Sequence, residues 1–178
     1  MNQGDFVSII LKGVLIILIT DTREKLPLTF PSVSGVRYRT ETMKTGDYTA
    51  VHEIHGKEVY DNTICERKSI ADCFNSFVGD NYRREKEKWE RTQQLNLHYI
   101  LAIEGTVTDV LQGNRYWKAG EMQESRKTGL AQLRQLCTIS LKYQVQTWFF
   151  SSRKEMAFYL VEFFLASGRW LQHQKEPS

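Results

Sequence analysis

The sequence predicts one α/β domain, a mixed central sheet flanked by helices, on three observations. Val14-Leu-Ile-Ile-Leu-Ile19 is a continuous, mostly β-branched run bounded by Gly13 and by Thr20-Asp21-Thr22, the pattern of a strand covered on both faces. Two further apolar runs, Leu97 to Ile103 and Val145 to Phe150, read as strands of the same sheet. Between and after them lie stretches whose apolar residues recur at helical spacing.

Taken in chain order, the segment from Pro27 through Pro31 to Gly35 reads as a loop, because two prolines and a serine-glycine pair leave no regular period. Arg37 to Thr40 reads as a short edge strand. Tyr48 to Val51 pairs with the β-prone residues Val59-Tyr60 and Thr63 to Cys65 across His55-Gly56-Lys57-Glu58, a hairpin signal. Ser69 and Asp72 have capping-box spacing and open a helix over Ile70 to Val78, followed by a charged helix over about Asn81 to Leu95. Leu130, Leu133, Leu136, Cys137 and Leu141 place another helix over about Glu121 to Leu141. Ser152 with Glu155 caps a last helix whose apolar stripe is Met156, Tyr159, Leu160, Phe163 and Phe164.

A length of 178 residues suffices for a domain that buries its core without disulfides or structural metal. With 41% hydrophobic and 25% charged residues, wholesale disorder, collagen-like repeats and a multi-span membrane protein are excluded, and a water-soluble chain is expected. The formal charge of +3 permits a polyanionic partner without requiring one. Cys65, Cys73 and Cys137 are odd in number and lack metal-ligand spacing, which suits reduced thiols and argues against zinc. Lys12 interrupts the apolar N-terminal run, Gly13 to Ile19 falls far short of the ~20 residues of a membrane span, and Asp5 stands where a leader carries basic residues. The expected location is intracellular: cytoplasmic or nucleoid-associated, or nuclear in a eukaryote. Residues 1–13 read as an N-terminal extension, 14–170 as the domain and 171–178 as a flexible tail.

Glu66-Arg67-Lys68 carries the chemistry. Residues two apart on a strand share a face, so Glu66 and Lys68 project together. If Gly56 and Lys57 form a two-residue turn, Asp47 lies directly opposite Glu66, and a bulge or longer loop would spoil that register. Two carboxylates and an ammonium group on one surface suit phosphodiester hydrolysis, since a hard divalent cation takes oxygen ligands and keeps waters. The same trio also suits an exposed cross-strand ion pair of little energetic consequence.

Asp21-Thr-Arg-Glu24 after an apolar strand, Gly46-Asp47-Tyr48 before a second, and Glu66-Arg-Lys-Ser-Ile-Ala-Asp72 at the end of a third resemble the nuclease domain of the XPF family of structure-specific endonucleases. Tyr99-Ile-Leu-Ala-Ile-Glu104 resembles that family's next core strand, and the resemblance covers residues 14 to 165. It implies a restriction-endonuclease-like three-layer sandwich in which Asp47 and Glu66 bind Mg²⁺, or Mn²⁺ as a substitute, with the Arg67 carbonyl as a further ligand. It implies Lys68 as the catalytic lysine, Asp21 near the metal, Arg23 and Arg67 engaging phosphate or bracing the acidic cluster, and Asp72 as a motif residue. Asp72 also suits a plain capping role, Arg23 and Glu24 a plain loop salt bridge, and Glu104 a solvated strand end.

The function implied is a metal-dependent endonuclease acting on branched, flapped or distorted DNA in repair, recombination or replication. A junction resolvase or restriction-like nuclease would use the same residues. An inactive DNA-binding scaffold is the non-enzymatic alternative, and the presence of Asp47, Glu66 and Lys68 favours activity over it. A purely structural partner protein, its acidic cluster binding no metal, is a further one. Many members of the family carry a tandem helix-hairpin-helix domain after the nuclease domain, and the sequence holds no room for one. DNA contact is then expected from the nuclease domain or a heteropartner. Arg84, Lys88 and Arg91 on one helical face, and Arg115, Lys118, Arg126 and Lys127 beside Tyr116 and Trp117, are the candidate DNA-binding groups, although Glu85, Glu87 and Glu90 dilute the first set into a solvated face. Phe158, Tyr159, Phe163, Phe164 and Trp170 exceed what one helix face buries, which together with the family's dimerisation through this domain predicts a homodimer.

Overall fold

Residues 15–113, 115–118, 121–124 and 128–174 are described by the computed structural model. The apolar run forms β1 (Leu15–Asp21). It pairs in parallel with the edge strand β2 (Val36–Glu41) and antiparallel with β3 (Tyr48–Ile54). β3 pairs antiparallel with both β4 (Lys57–Tyr60) and β5 (Thr63–Ser69). β5, β6 (His98–Glu104) and β9 (Gln146–Phe150) then run parallel, completing a mixed sheet in the order β2-β1-β3-β5-β6-β9 with β4 alongside β3.

Strand alternation sends successive side chains to opposite faces. Ile16, Leu18, Ala50, Cys65, Ile100 and Ala102 pack against Met156, Leu160, Val161 and Phe164 of α5 (Arg153–Gln174). Tyr99, Leu101 and Ile103 face the other way, onto Cys73 of α1 (Ile70–Ser76), Trp89 of α2 (Gly79–Gln94), Val110 of α3 (Val107–Gln112) and Leu136, Ile139 and Tyr143 of α4 (Gly129–Tyr143). This is the three-layer sandwich expected. A separate hairpin, β7 (Arg115–Lys118) with β8 (Glu121–Glu124), stands outside the main sheet.

Three expectations need correction. The helix expected from Glu121 starts only at Gly129, because Thr128 caps it by accepting from the Ala131 N–H at 3.2 Å and residues 121–124 are β8. Gly129 also sits so close to α3 that a Cβ there would lie 2.1 Å from the Leu111 carbonyl oxygen, which fixes where α4 begins. The hairpin turn is His55-Gly56, not Gly56-Lys57: both residues have positive φ (52° and 73°), as a type I′ turn requires, and Ile54 faces Lys57. The tail expected from residue 171 is helical through Gln174, since Leu171-Gln172-His173-Gln174 continues α5 without a breaker.

Candidate active site

Despite the displaced turn, Tyr48 of β3 pairs with Cys65 of β5, the register the sequence predicts. Asp61 and Asn62, lying between β4 and β5, take up the difference. Asp47, next to Tyr48, donates its backbone N–H to the Cys65 carbonyl at 2.8 Å, and its Oδ2 accepts from the Arg67 backbone N–H at 2.8 Å. The carboxylate is thereby fixed against the end of β5.

Asp47 and Glu66 line one cleft of about 230 Å³ with Asp21, Arg23, Glu24, Lys44 and Lys88. Glu66 is buried on the α2 face of the sheet, where its Oε2 accepts from the Tyr99 hydroxyl at 3.1 Å. Its Oε1 lies 3.2 Å from both Lys68 Nζ and Lys88 Nζ. Both ammonium groups also reach Glu85 Oε1 of α2, at 3.4 and 3.2 Å. Glu66 and Lys68 thus project together, as predicted, but as a buried network and not as an exposed ion pair.

The electrostatics set the two carboxylates apart. Burial and the neighbouring Glu66 charge push the Asp47 carboxyl up to about 7. Burial also opposes the Glu66 charge, yet the Lys68 and Lys88 ammonium groups more than offset it and hold Glu66 below the usual range. Lys68 is raised in turn: desolvation works against its charge, and Glu66 and Glu85 outweigh it. Asp47 and Glu66, near enough for the charge of one to raise the other, are oxygen donors of the kind a hard divalent cation takes, and among the described residues no third His, Cys, Asp or Glu side chain joins them as a ligand group.

Arg67 points to the opposite face of β5. Its guanidinium bridges Glu24 (3.0 Å) and Glu104 (3.1 Å), and Glu104 also meets Arg153 at 2.8 Å. Arg153 in turn donates to the carbonyls of Leu26 and Pro27 at 2.6 and 3.0 Å, tying the loop after β1 to the start of α5. Glu104 is therefore a shared anion and not a solvated strand end. Arg23 pairs with Asp21, not Glu24: Asp21 Oδ1 accepts from the Arg23 backbone and Nε, and Oδ2 from Arg23 NH2 and the Met43 N–H. That arrangement lowers the Asp21 carboxyl, the Arg23 bond being the main cause and burial opposing it, and both Asp21 oxygens are occupied at the cleft wall.

Asp72 completes the capping box of α1, with Oδ2 accepting from Ser69 Oγ at 2.7 Å and the Asp72 N–H donating to that hydroxyl at 3.1 Å. It is exposed and does not line the cleft. The expected cationic face of α2 divides. Arg84 and Arg91 are exposed, whereas Lys88 turns into the cleft onto two carboxylates. Arg115 and Lys118 lie on β7, and their side chains, like all of Arg126 and Lys127, fall outside the described residues. Sequence reasoning missed Glu85, hidden among the charges of α2, and the Glu104–Arg153 link, whose partners are 49 residues apart.

A mixed sheet between helical layers, with an acid-lysine cleft beside the end of its parallel strands, defines a restriction-endonuclease-like domain. The family described as the ERCC4 domain matches residues 20–163, and the chain belongs to it. Crossover junction endonuclease MUS81 of Debaryomyces hansenii is 26% identical over 102 residues, which cover 56% of this chain and 15% of that protein's length. The solved structure of XPF from Aeropyrum pernix superposes with a TM-score of 0.57 at 19% identity, covering 90% of this chain and 69% of that one. The same protein in complex with DNA gives 0.56 at 19% identity, covering 91% and 68%. These two structures share the fold.

Proposed function

We propose that the chain is a metal-dependent DNA endonuclease that hydrolyses phosphodiester bonds in branched or flapped DNA. The observation that carries this reading is the cleft that joins Asp47 and Glu66, with Lys68 held on Glu66 at 3.2 Å. Membership of the ERCC4 domain family and the junction endonuclease among its relatives support it. Asp47 and Glu66, with the Arg67 carbonyl, would hold Mg²⁺ or Mn²⁺. A bound divalent cation would supply Lewis acidity and an acidified water. Lys68 places a buried positive charge beside that site, where it offsets charge developing on the phosphate. Arg67 braces the strand end from the opposite face, and Arg23 keeps Asp21 ionised at the rim.

Arg84 and Arg91, exposed on α2, are the proposed contacts to a DNA backbone, on the helix that sends Lys88 into the cleft. A second copy of the chain is the proposed protein partner, docking on the exposed aromatic residues of α5: Phe158 (56% exposed), Tyr159 (49%) and Trp170 (60%). Repair, recombination or replication is the proposed setting. No helix among the described residues is long and apolar enough to cross a membrane.

The test compares wild type with Asp47→Asn on end-labelled flap, fork, four-way junction and linear DNA in Mg²⁺, Mn²⁺ or EDTA. Metal-dependent cutting that disappears in the variant is expected. Binding without cutting under every condition would replace the nuclease reading with a scaffold.

A further inference from the structure

Glu85 is the one acidic residue of α2 that is buried. It is 8% exposed, and among the described residues its Oε2 is shielded from solvent with no hydrogen-bond partner, an arrangement that a folded protein keeps at a cost. Its other oxygen does all the visible bonding, accepting from Lys68 Nζ at 3.4 Å and Lys88 Nζ at 3.2 Å. The same two ammonium groups sit 3.2 Å from Glu66 Oε1. Two cations are thus shared by two carboxylate oxygens, one from β5 and one from α2. If Glu85 were neutral, Glu66 would be the only carboxylate among the described residues within reach of both lysines, and each lysine would compete with any metal ion for the same oxygen.

We propose that Glu85 is a positioning residue of the cleft: its carboxylate anchors the Lys68 and Lys88 ammonium groups, so that Glu66 can turn Oε1 to a divalent cation without releasing either lysine. The anchoring concerns the chain alone, and the clause about the cation rests on the nuclease reading. Lys88, whose side chain is 30% exposed, is the outer of the two held groups and faces the cleft mouth. Glu85 therefore supplies the site with a second fixed cation besides Lys68.

The experiment records lysine ammonium NMR signals of ¹⁵N-labelled protein, which persist only where hydrogen bonds slow exchange with water. Lys68→Met and Lys88→Met assign them. Both signals are expected in wild type, and in Glu85→Gln, where Glu66 is the carboxylate still within reach of the lysines, their exchange with water is expected to speed up by about tenfold or more while the backbone spectrum stays folded. Exchange unchanged in Glu85→Gln would overturn the proposal. Should that variant not fold, Glu85→Gln combined with Lys88→Met, which removes one charge of each sign, is read on Lys68 in the same way.

Addition of Mg²⁺ to wild type should leave both signals in place, and their loss on saturation would show that Glu66, not Glu85, holds the lysines. If Mg²⁺ does not bind at all, the nuclease reading falls, and Glu85→Gln alone decides the anchoring. With cleavage established, Glu85→Gln should lower kcat by about 10- to 100-fold with KM within about twofold. An unchanged kcat would count against the role, as would a loss confined to KM.

Discussion

The carboxylate of Asp47 accepts the backbone N–H of Arg67 at 2.8 Å, so the residue that leads into β3 is fastened to β5. The bond fixes a carboxylate beside Glu66 that burial and the Glu66 charge push up to about 7. The sign of the consequence is definite. Below about pH 7 a proton occupies the carboxyl proposed as a metal ligand, so under the nuclease reading Mg²⁺ affinity should fall by about tenfold per pH unit there and level off above it. Calorimetry at pH 6 and pH 8 measures this. Asp47→Asn should remove the dependence and lower kcat by about 100-fold or more. In the metal-free protein the raised carboxyl binds its proton more tightly folded than unfolded. Stability should accordingly decline from about pH 4 to about pH 7 in wild type and stay flatter in the variant.

Gly46 precedes that carboxylate with φ +75°, and a Cβ there would lie 2.1 Å from Ile64 Cγ2 and 3.2 Å from the Cys65 carbonyl oxygen. Gly46→Ala combines a left-handed backbone with a clash against β5. A cost of about 2–4 kcal/mol is expected in urea unfolding, from about 1–2 for the backbone and the rest from overpacking. Because the clash lies on β5, divalent-cation affinity should fall as well, even at temperatures where the variant is fully folded.

Much of the molecule was legible in the sequence because its signals are local. The β1 run, the Ser69–Asp72 box and the β6 and β9 segments each carry their own period or cap. The Tyr48–Cys65 register was also reached, although by a turn that does not exist: the true His55-Gly56 turn shifts β4 on β3, and Asp61-Asn62 restores the register at β5. What was illegible is non-local. Glu85 looks like any solvated glutamate of a charged helix until α2 is laid over Glu66, and Glu104 looks solvated until Arg67 and Arg153 converge on it. The leucine spacing carries no mark of where its helix begins, and Thr128, which caps it, lies seven residues after Glu121. α3 has a capping box, Thr106 with Asp109, but no long apolar period to announce a helix.

Arg67 is flanked by Glu24 and Glu104, and its side chain is only 10% exposed. Its removal leaves two carboxylates close together without their shared cation. Arg67→Ala should therefore cost about 3–5 kcal/mol. Arg67→Lys should recover only part of it, since an ammonium group cannot bridge both partners with the geometry of a guanidinium. Urea midpoints of the two variants and wild type decide the point, and equal midpoints for wild type and Arg67→Ala would show that the brace carries no stability.

Away from the cleft, Asp61 joins three elements: Oδ2 takes His52 Nε2 at 2.8 Å and Ser167 Oγ at 2.5 Å, and Oδ1 takes the Thr63 N–H at 2.7 Å. Burial pushes this carboxyl up, but the His52, Ser167 and Thr63 bonds together hold it below 3.8. A depressed folded-state value stabilises the protein above the unfolded value and is lost as pH falls through the folded one. Asp61→Asn should cost about 2 kcal/mol at pH 7. The gap to wild type should close steadily below about pH 4. Thermal melts of the pair from pH 7 to pH 3 would show the convergence, and a constant gap would sink the assignment.

The exposed aromatic face of α5 lies beside the free edge of the sheet at β9, where Trp148 packs edge-on against Tyr159 and Phe163 at 5.1 Å between ring centroids. Trp170 is 60% exposed and Phe158 56%, large apolar side chains that water solvates poorly. A second copy pressed against this face would bury them and shield the β9 edge from non-specific pairing. Sedimentation equilibrium should then give a mass that rises with concentration toward twice the chain. Trp170→Ser, at a position 60% exposed in the single chain, should weaken the dimer by about 30-fold, or about 2 kcal/mol, with a much smaller effect on the melting of the monomer. A single-chain mass at every concentration would leave the aromatic face without its proposed partner.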